Sequence, residues 1–334
     1  MKIDKSSTRP PGVNFRAGEW VEVRSPKEIA TTLDADGTAN GLPFMPEMLS
    51  FCGQRFQILR RAEKTCFEAA PVNYQIREFR GSDVVLLNEL RCSGSDHDGC
   101  QRACTLFWKE AWLRRVTPLD PPVISERPRR FDPMPLPLKT KSAPGRYFCQ
   151  STELGNATRQ LTRPQILKKC LVEVCSGNRG IWEMTQLVLL PLWRKIIHKF
   201  PHRKLRGTLK QTPIGNLQLQ PRDWVEIKSE AEIVKTLNVQ GCNRGMLCDF
   251  GMTQHCGGQY QVRNRLDRMI SETTGEMRQV DSTVILEGLH CLCSNVLGGC
   301  PRSDFMYWRE VWLKRVDPDS IRPTHASSCE NTKP

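Results

Sequence analysis

Long apolar runs are missing from this sequence. No stretch reaches about 18 uninterrupted apolar residues, which excludes a transmembrane helix. The opening MKIDKSSTRPPGVNF has no apolar core, so no secretory signal is expected and the setting reads as cytoplasmic. The compact signatures of familiar catalytic sites are missing too: there is no P-loop, no GxGxxG after a strand, no HExxH and no GxSxG. No pair of cysteines has CxxC spacing, so the strongest thiol signature of a zinc site is absent. Between Glu183 and Asp223 there is no acid at all.

What is present suits a globular chain. Hydrophobic residues make up 39% and charged residues 25%, enough to build a core and exclude global disorder. At 334 residues the chain has room for about two to three domains. The net charge of +13 is concentrated: residues 117–219 hold 18 Lys/Arg against 6 Asp/Glu. An anionic partner, if there is one, belongs to that segment. Fifteen cysteines is a high count, and in a reducing compartment they are buried thiols, metal ligands or reactive thiols rather than disulfides.

The dominant pattern is an internal duplication. GEWVEVRSPKEIATTLDADG is answered by PRDWVEIKSEAEIVKTLNVQG, with Trp20, Glu22, Leu33 and Gly37 matching Trp224, Glu226, Leu237 and Gly241. Further on, Cys52-Gly53 matches Cys256-Gly257, and FWKEAWLRRV matches YWREVWLKRV. Six of the eight Trp occupy paired positions, which makes this domain duplication rather than a short-period solenoid. The expected organisation is a disordered tail 1–15, module one at 16–116, a Pro-rich linker and basic helical middle at 117–219, module two at 220–316 and a disordered tail 317–334.

Within each module the alternation of Trp20–Arg24 predicts a half-buried strand. Ser25 and Glu28, like Ser229 and Glu232, have the spacing of a capping box for the helix that follows. Further strands are expected at Arg55–Leu59 and Asp83–Leu87, and at Gln259–Arg263 and Ser282–Leu286. A helical turn then feeds a terminal strand. This is mainly β with α, read as two duplicated small SH3-like β-barrels with the paired Trp in their cores. In the middle, Thr162 is placed to cap a helix running to Gly177, and 181–200 predicts a second helical stretch broken near Pro191.

The blocks GEWVEVRS, TLDADG, GLPFMPEM, FCG, KTC and FWKEAWLRRV, followed by TGEMRQ, VILEGL and YWREVWLKRV, resemble an uncharacterised bacterial protein family over roughly residues 18–316. The resemblance implies the two-module architecture, a bacterial cytoplasmic setting and company with biosynthetic enzymes. It supplies no catalytic residue.

Two constellations carry candidate chemistry. Cys92, Cys100 and Cys104 lie within thirteen residues and, with Cys66, offer a four-thiol site for zinc or iron–sulfur; His97 in the same loop is able to replace one thiol. The bland alternative is a set of inert core cysteines. The second constellation is the run WRKIIHKFPHRKLRGTLK, residues 193–210, with Arg194, Lys195, Lys199, Arg203, Lys204 and Arg206 as anion-binding candidates. Nucleic acid, an acidic protein partner, an anionic membrane and a plain solvated face all compete for that run. A thiol nucleophile at Cys149, with His198 or His202 as base, is a further alternative. The leading functional reading is a non-catalytic binding or scaffold protein with a structural Cys-ligated metal in module one. A metal- or thiol-dependent biosynthetic enzyme and a nucleic-acid binder are the alternatives.

Overall fold

The computed structural model describes residues 14–70, 73–116, 133–186, 205–291, 299 and 301–317. It is mainly β with short helices, and its two largest sheets are antiparallel and five-stranded with one strand order. In the first half the order is Thr105–Lys109, Val84–Arg91, Arg55–Arg61, Trp20–Val23, Leu113–Arg115. In the second it is Phe305–Arg309, Thr283–His290, Gln259–Arg265, Trp224–Ile227, Leu313–Arg315. The registers agree as well: Trp20 faces Gln57 and Trp224 faces Gln261. Both second strands shift register against the third, between Ile58 and Arg60 and between Val262 and Asn264. Such bulges bend a sheet sharply enough to curl it over a small core.

Local chemistry starts and stops these elements as the sequence predicts. Ser25 N–H donates to Glu28 Oε2 at 3.0 Å and Glu28 N–H returns to Ser25 Oγ, and Ser229 with Glu232 does the same. The expected turn before the last strand is a 3-10 turn, Glu110–Trp112 in one half and Glu310–Trp312 in the other. It turns Trp112 and Trp312 inward, where each indole N–H donates at 3.0 Å to a threonine, Thr32 or Thr236. Trp108 and Trp308 complete the two cores, packed on Val21, Val23 and Ile29 in one and on Val225, Ile227 and Ile233 in the other.

Trp20 departs from the expected core role. It is 42% exposed, because strand alternation sends Val21 and Val23 inward and leaves Trp20 on the outer face. Glu22, on that same outer face, is covered by Arg55 and Arg114, whose guanidinium groups pair with it at 3.1 and 2.7 Å.

Among the described residues, parts of the middle segment pack on the two halves. Thr158–Gln160 pairs with Asn73–Phe79, which pairs with Thr65–Ala70, forming a three-stranded sheet of the first half. Cys149, Leu154 and Ala157 enter the first core. Gln150 closes the free edge of Thr105–Lys109: its side chain accepts from Phe107 N–H and donates to Phe107 C=O, both at 2.8 Å. Residues 205–219 go to the second half, where Leu205 and Leu219 are core and Glu310 accepts the amides of Leu217, Gln218 and Leu219. The helix after Thr162 spans Arg163–Cys175, as expected. Of the second helical stretch only 181–186 is described. Residues 117–132 of the Pro-rich linker, and both expected tails except for 14, 15 and 317, lie outside the described residues.

Candidate metal centre

The first half places a carboxylate, a thiol and an imidazole together. Glu47 stands in the first turn of the 3-10 helix Pro46–Phe51, which Pro46 starts with its fixed backbone angle. Cys92 follows the strand Val84–Arg91, and its N–H continues the ladder by donating to Cys104 C=O at 2.8 Å. His97 sits on a tight loop closed by donation from His97 N–H and Gly99 N–H to Gly94 C=O, both at 3.0 Å. Gly94 is required there. Its φ is +72°, and a Cβ would lie 1.9 Å from the Cys100 carbonyl oxygen.

The ligand atoms of Glu47, Cys92 and His97 all lie within 4.8 Å of one another, and the cluster is able to hold a metal ion. His97 is 1% exposed. Its Nε2 is 3.1 Å from Phe148 C=O, an acceptor only, so Nε2 carries the proton and donates. Nδ1 is then a buried lone pair with no hydrogen-bond partner. Glu47 Oε1 is buried and unpartnered in the same way, while Oε2 accepts from Ser93 N–H at 2.8 Å and Ser93 Oγ at 3.0 Å. Burial and the adjacent Glu47 carboxylate push the Cys92 thiol well above its ordinary range. Three groups rich in lone pairs thus face one another, and a divalent ion among them would favour thiolate over thiol. An imidazole held through its other nitrogen by a backbone carbonyl is the usual support for a metal-bound histidine.

The four thiols expected as one ligand set are not brought together. Among the described residues, the Glu47–Cys92–His97 group is the only set of three or more such ligand atoms within 4.8 Å. Cys66 lies on a different sheet, opposite Ile76. Cys100 Sγ accepts Ile270 N–H from the second half at 3.4 Å. Cys92, Cys100, Cys104 and Cys149 do line one cavity with His97, Arg102, Ile270 and Arg302, where the two halves meet. That cavity is about 480 Å³ counted to its mouth, but its free interior is no larger than an ion or a water molecule needs. Burial pushes the Cys104 thiol up to about 12 and raises Cys149 as well, the opposite of what a nucleophile requires. None of the twelve described cysteines is in a disulfide.

Glu47 escaped the sequence reading, which looked for sulfur and histidine. The available signal was a single acid within GLPFMPEMLSFCG, a segment otherwise free of charge. Arg194, Lys195, Lys199, Arg203 and Lys204 lie outside the described residues, as do His198 and His202; Arg206 is described and exposed. Among the described residues no helix is long and apolar enough to cross a membrane. Comparison with protein-family models, with curated proteins and with solved structures gives no match.

Proposed function

We propose that this chain is a non-catalytic scaffold of two duplicated SH3-like modules, with one structural zinc-class ion held in the first by Glu47, Cys92 and His97. The carrying observation is the orphaned Nδ1 of His97 beside the orphaned Oε1 of Glu47 and the Cys92 thiol. A nitrogen, a sulfur and a carboxylate oxygen suit zinc better than magnesium or calcium. A structural role is favoured over a catalytic one because the adjoining cavity has no room for a substrate. The shared strand order, with the first strand between the second and the last and a 3-10 turn before the last, supports the SH3-like reading of both halves. Composition alone makes residues 193–210 the candidate contact for nucleic acid or an acidic protein.

The test is metal content of protein purified without added metal, alongside single variants. About one zinc per chain is expected, lost in Cys92→Ser, His97→Asn and Glu47→Gln and kept in Cys66→Ser. A metal-free wild type with reduced, titratable thiols refutes the reading, as does a variant series in which Cys66 matters and His97 does not.

A further inference from the structure

The loop that carries two of the three ligands also carries contacts between the halves. Three residues after His97, Cys100 Sγ accepts Ile270 N–H at 3.4 Å. Gln101 N–H donates to Arg268 C=O at 3.1 Å, while its side-chain oxygen accepts Asp267 N–H at 2.6 Å and Arg268 N–H at 3.1 Å. Residues 100 and 101 thereby line the hairpin Arg268–Ile270/Met277–Gln279 with matched hydrogen bonds. Arg102 then pairs with Glu272 at 2.9 Å, and Thr105 Oγ donates to Arg302 C=O. Just before Cys92, Arg91 donates to Ser303 C=O at 2.8 Å and stands 4.1 Å over the Phe305 ring. Every one of these contacts runs from residues 91–105 of the first half to residues 267–305 of the second.

We propose that metal occupancy at Glu47, Cys92 and His97 controls docking of the second half onto the first. This rests on reading the trio as a metal site. An ion ties the 3-10 helix of Glu47 to both limbs of the loop, fixing the path from Cys92 to Arg102. Without it, an unpaired imidazole lone pair and an unpaired carboxylate oxygen stay buried, which favours any opening that lets water reach them. The opening that solvates them displaces Cys100, Gln101 and Arg102 from their partners. Binding of the ion and docking of the half are therefore linked, and linkage acts equally in both directions.

Hydrogen exchange of the zinc-loaded full chain tests this before and after chelation, with zinc per chain measured in parallel. The amides of Asp267, Arg268 and Ile270 report docking, since each is bonded across the interface. The amides of Val225 and Ile227, in the second core sheet, report whether that half stays folded. On zinc removal the first group should exchange at least about 5-fold faster, the lower bound for typical coupling, while the second keeps its protection; added zinc should return the first group to its original rate. Unchanged exchange after verified zinc loss overturns the linkage and leaves the metal site standing. Loss of protection throughout the second half overturns it in favour of global unfolding. Failure of the protein to bind zinc overturns both readings. The reciprocal arm uses Gln101→Ala, with Glu272→Gln as a second variant; neither touches the trio. Both should weaken zinc binding about 5- to 150-fold, and unchanged affinity refutes the proposal.

Discussion

Replacing Glu272 by alanine should cost the interface about 3 kcal/mol, toward the lower end of what breaking a buried ion pair costs. Its side chain is 1% exposed and accepts from Arg102 at 2.9 Å, Arg302 at 3.2 Å, Ser151 Oγ at 3.2 Å and Glu68 N–H at 3.3 Å. Removal strands two guanidinium groups, 13% and 5% exposed, in a region sealed by both halves. The lower end applies because Arg302 keeps Asp304 at 2.9 Å and donates to Cys66 C=O at 3.1 Å. The ionic part carries a pH signature. Burial opposes ionisation of Glu272, but the Arg302 and Arg102 charges outweigh it and hold its carboxyl below the ordinary value of 4.5. A carboxyl depressed in the folded state contributes its full stabilisation above the unfolded value. It loses that contribution as pH falls through the folded one. The wild type should therefore lose interface stability on acidification below about 4.5, and Glu272→Gln should remove that part of the pH dependence. Urea denaturation monitored by tryptophan fluorescence, from pH 7 to pH 3, reads both effects. A Glu272→Ala variant within about 1 kcal/mol of wild type at pH 7, or a Glu272→Gln variant with the wild-type acid profile, refutes the reasoning.

Gly94→Ala should open the loop that carries His97. The positive φ costs about 1–3 kcal/mol, and the clash with the Cys100 carbonyl adds to it, so metal content and thermal midpoint should fall together. Trp112→Phe and Trp312→Phe each remove an indole N–H bonded to a threonine hydroxyl, half-buried at Thr32 and buried at Thr236. Each should cost about 1–3 kcal/mol in denaturant unfolding, and similar values in both halves are the mark of equivalent cores. If the basic run binds nucleic acid, Arg203→Ala/Lys204→Ala/Arg206→Ala should flatten the dependence of log K on log salt by about 2–3, as filter binding across salt would show; an unchanged slope removes those residues from the interface.

The elements of each half were legible because local rules write them. A capping serine three residues before glutamate, an alternation of apolar residues and a repeated Trp spacing each act over less than a turn or a strand. Contacts between distant segments left no such mark. Thr158–Gln160 is short and polar, and nothing local says that it pairs with Asn73–Phe79. Glu47 and His97 meet because the 3-10 helix Pro46–Phe51 packs beside the loop after Val84–Arg91, an event that no periodicity records. The expected cysteine set divides for the same reason: Cys92 and Cys104 are joined by a backbone hydrogen bond, while Cys66, expected on a turn, lies in the strand Thr65–Ala70.

The two halves differ at matched positions beside their interface. Cys92 N–H bonds to Cys104 C=O, and the equivalent Cys291 N–H bonds to Asp304 C=O at 2.7 Å, so Cys104 and Asp304 occupy one position of one backbone. In the first half that position lines the sulfur-rich cavity. In the second it is an anion that orients Arg302, whose guanidinium reaches Glu272 and, across the interface, the carbonyl of Cys66. Glu47 is likewise matched, at the repeat offset, by Gly251, which has no ligand to offer. The first half thus carries a carboxylate where the second has glycine, and the second carries an aspartate on Arg302 where the first has a thiol.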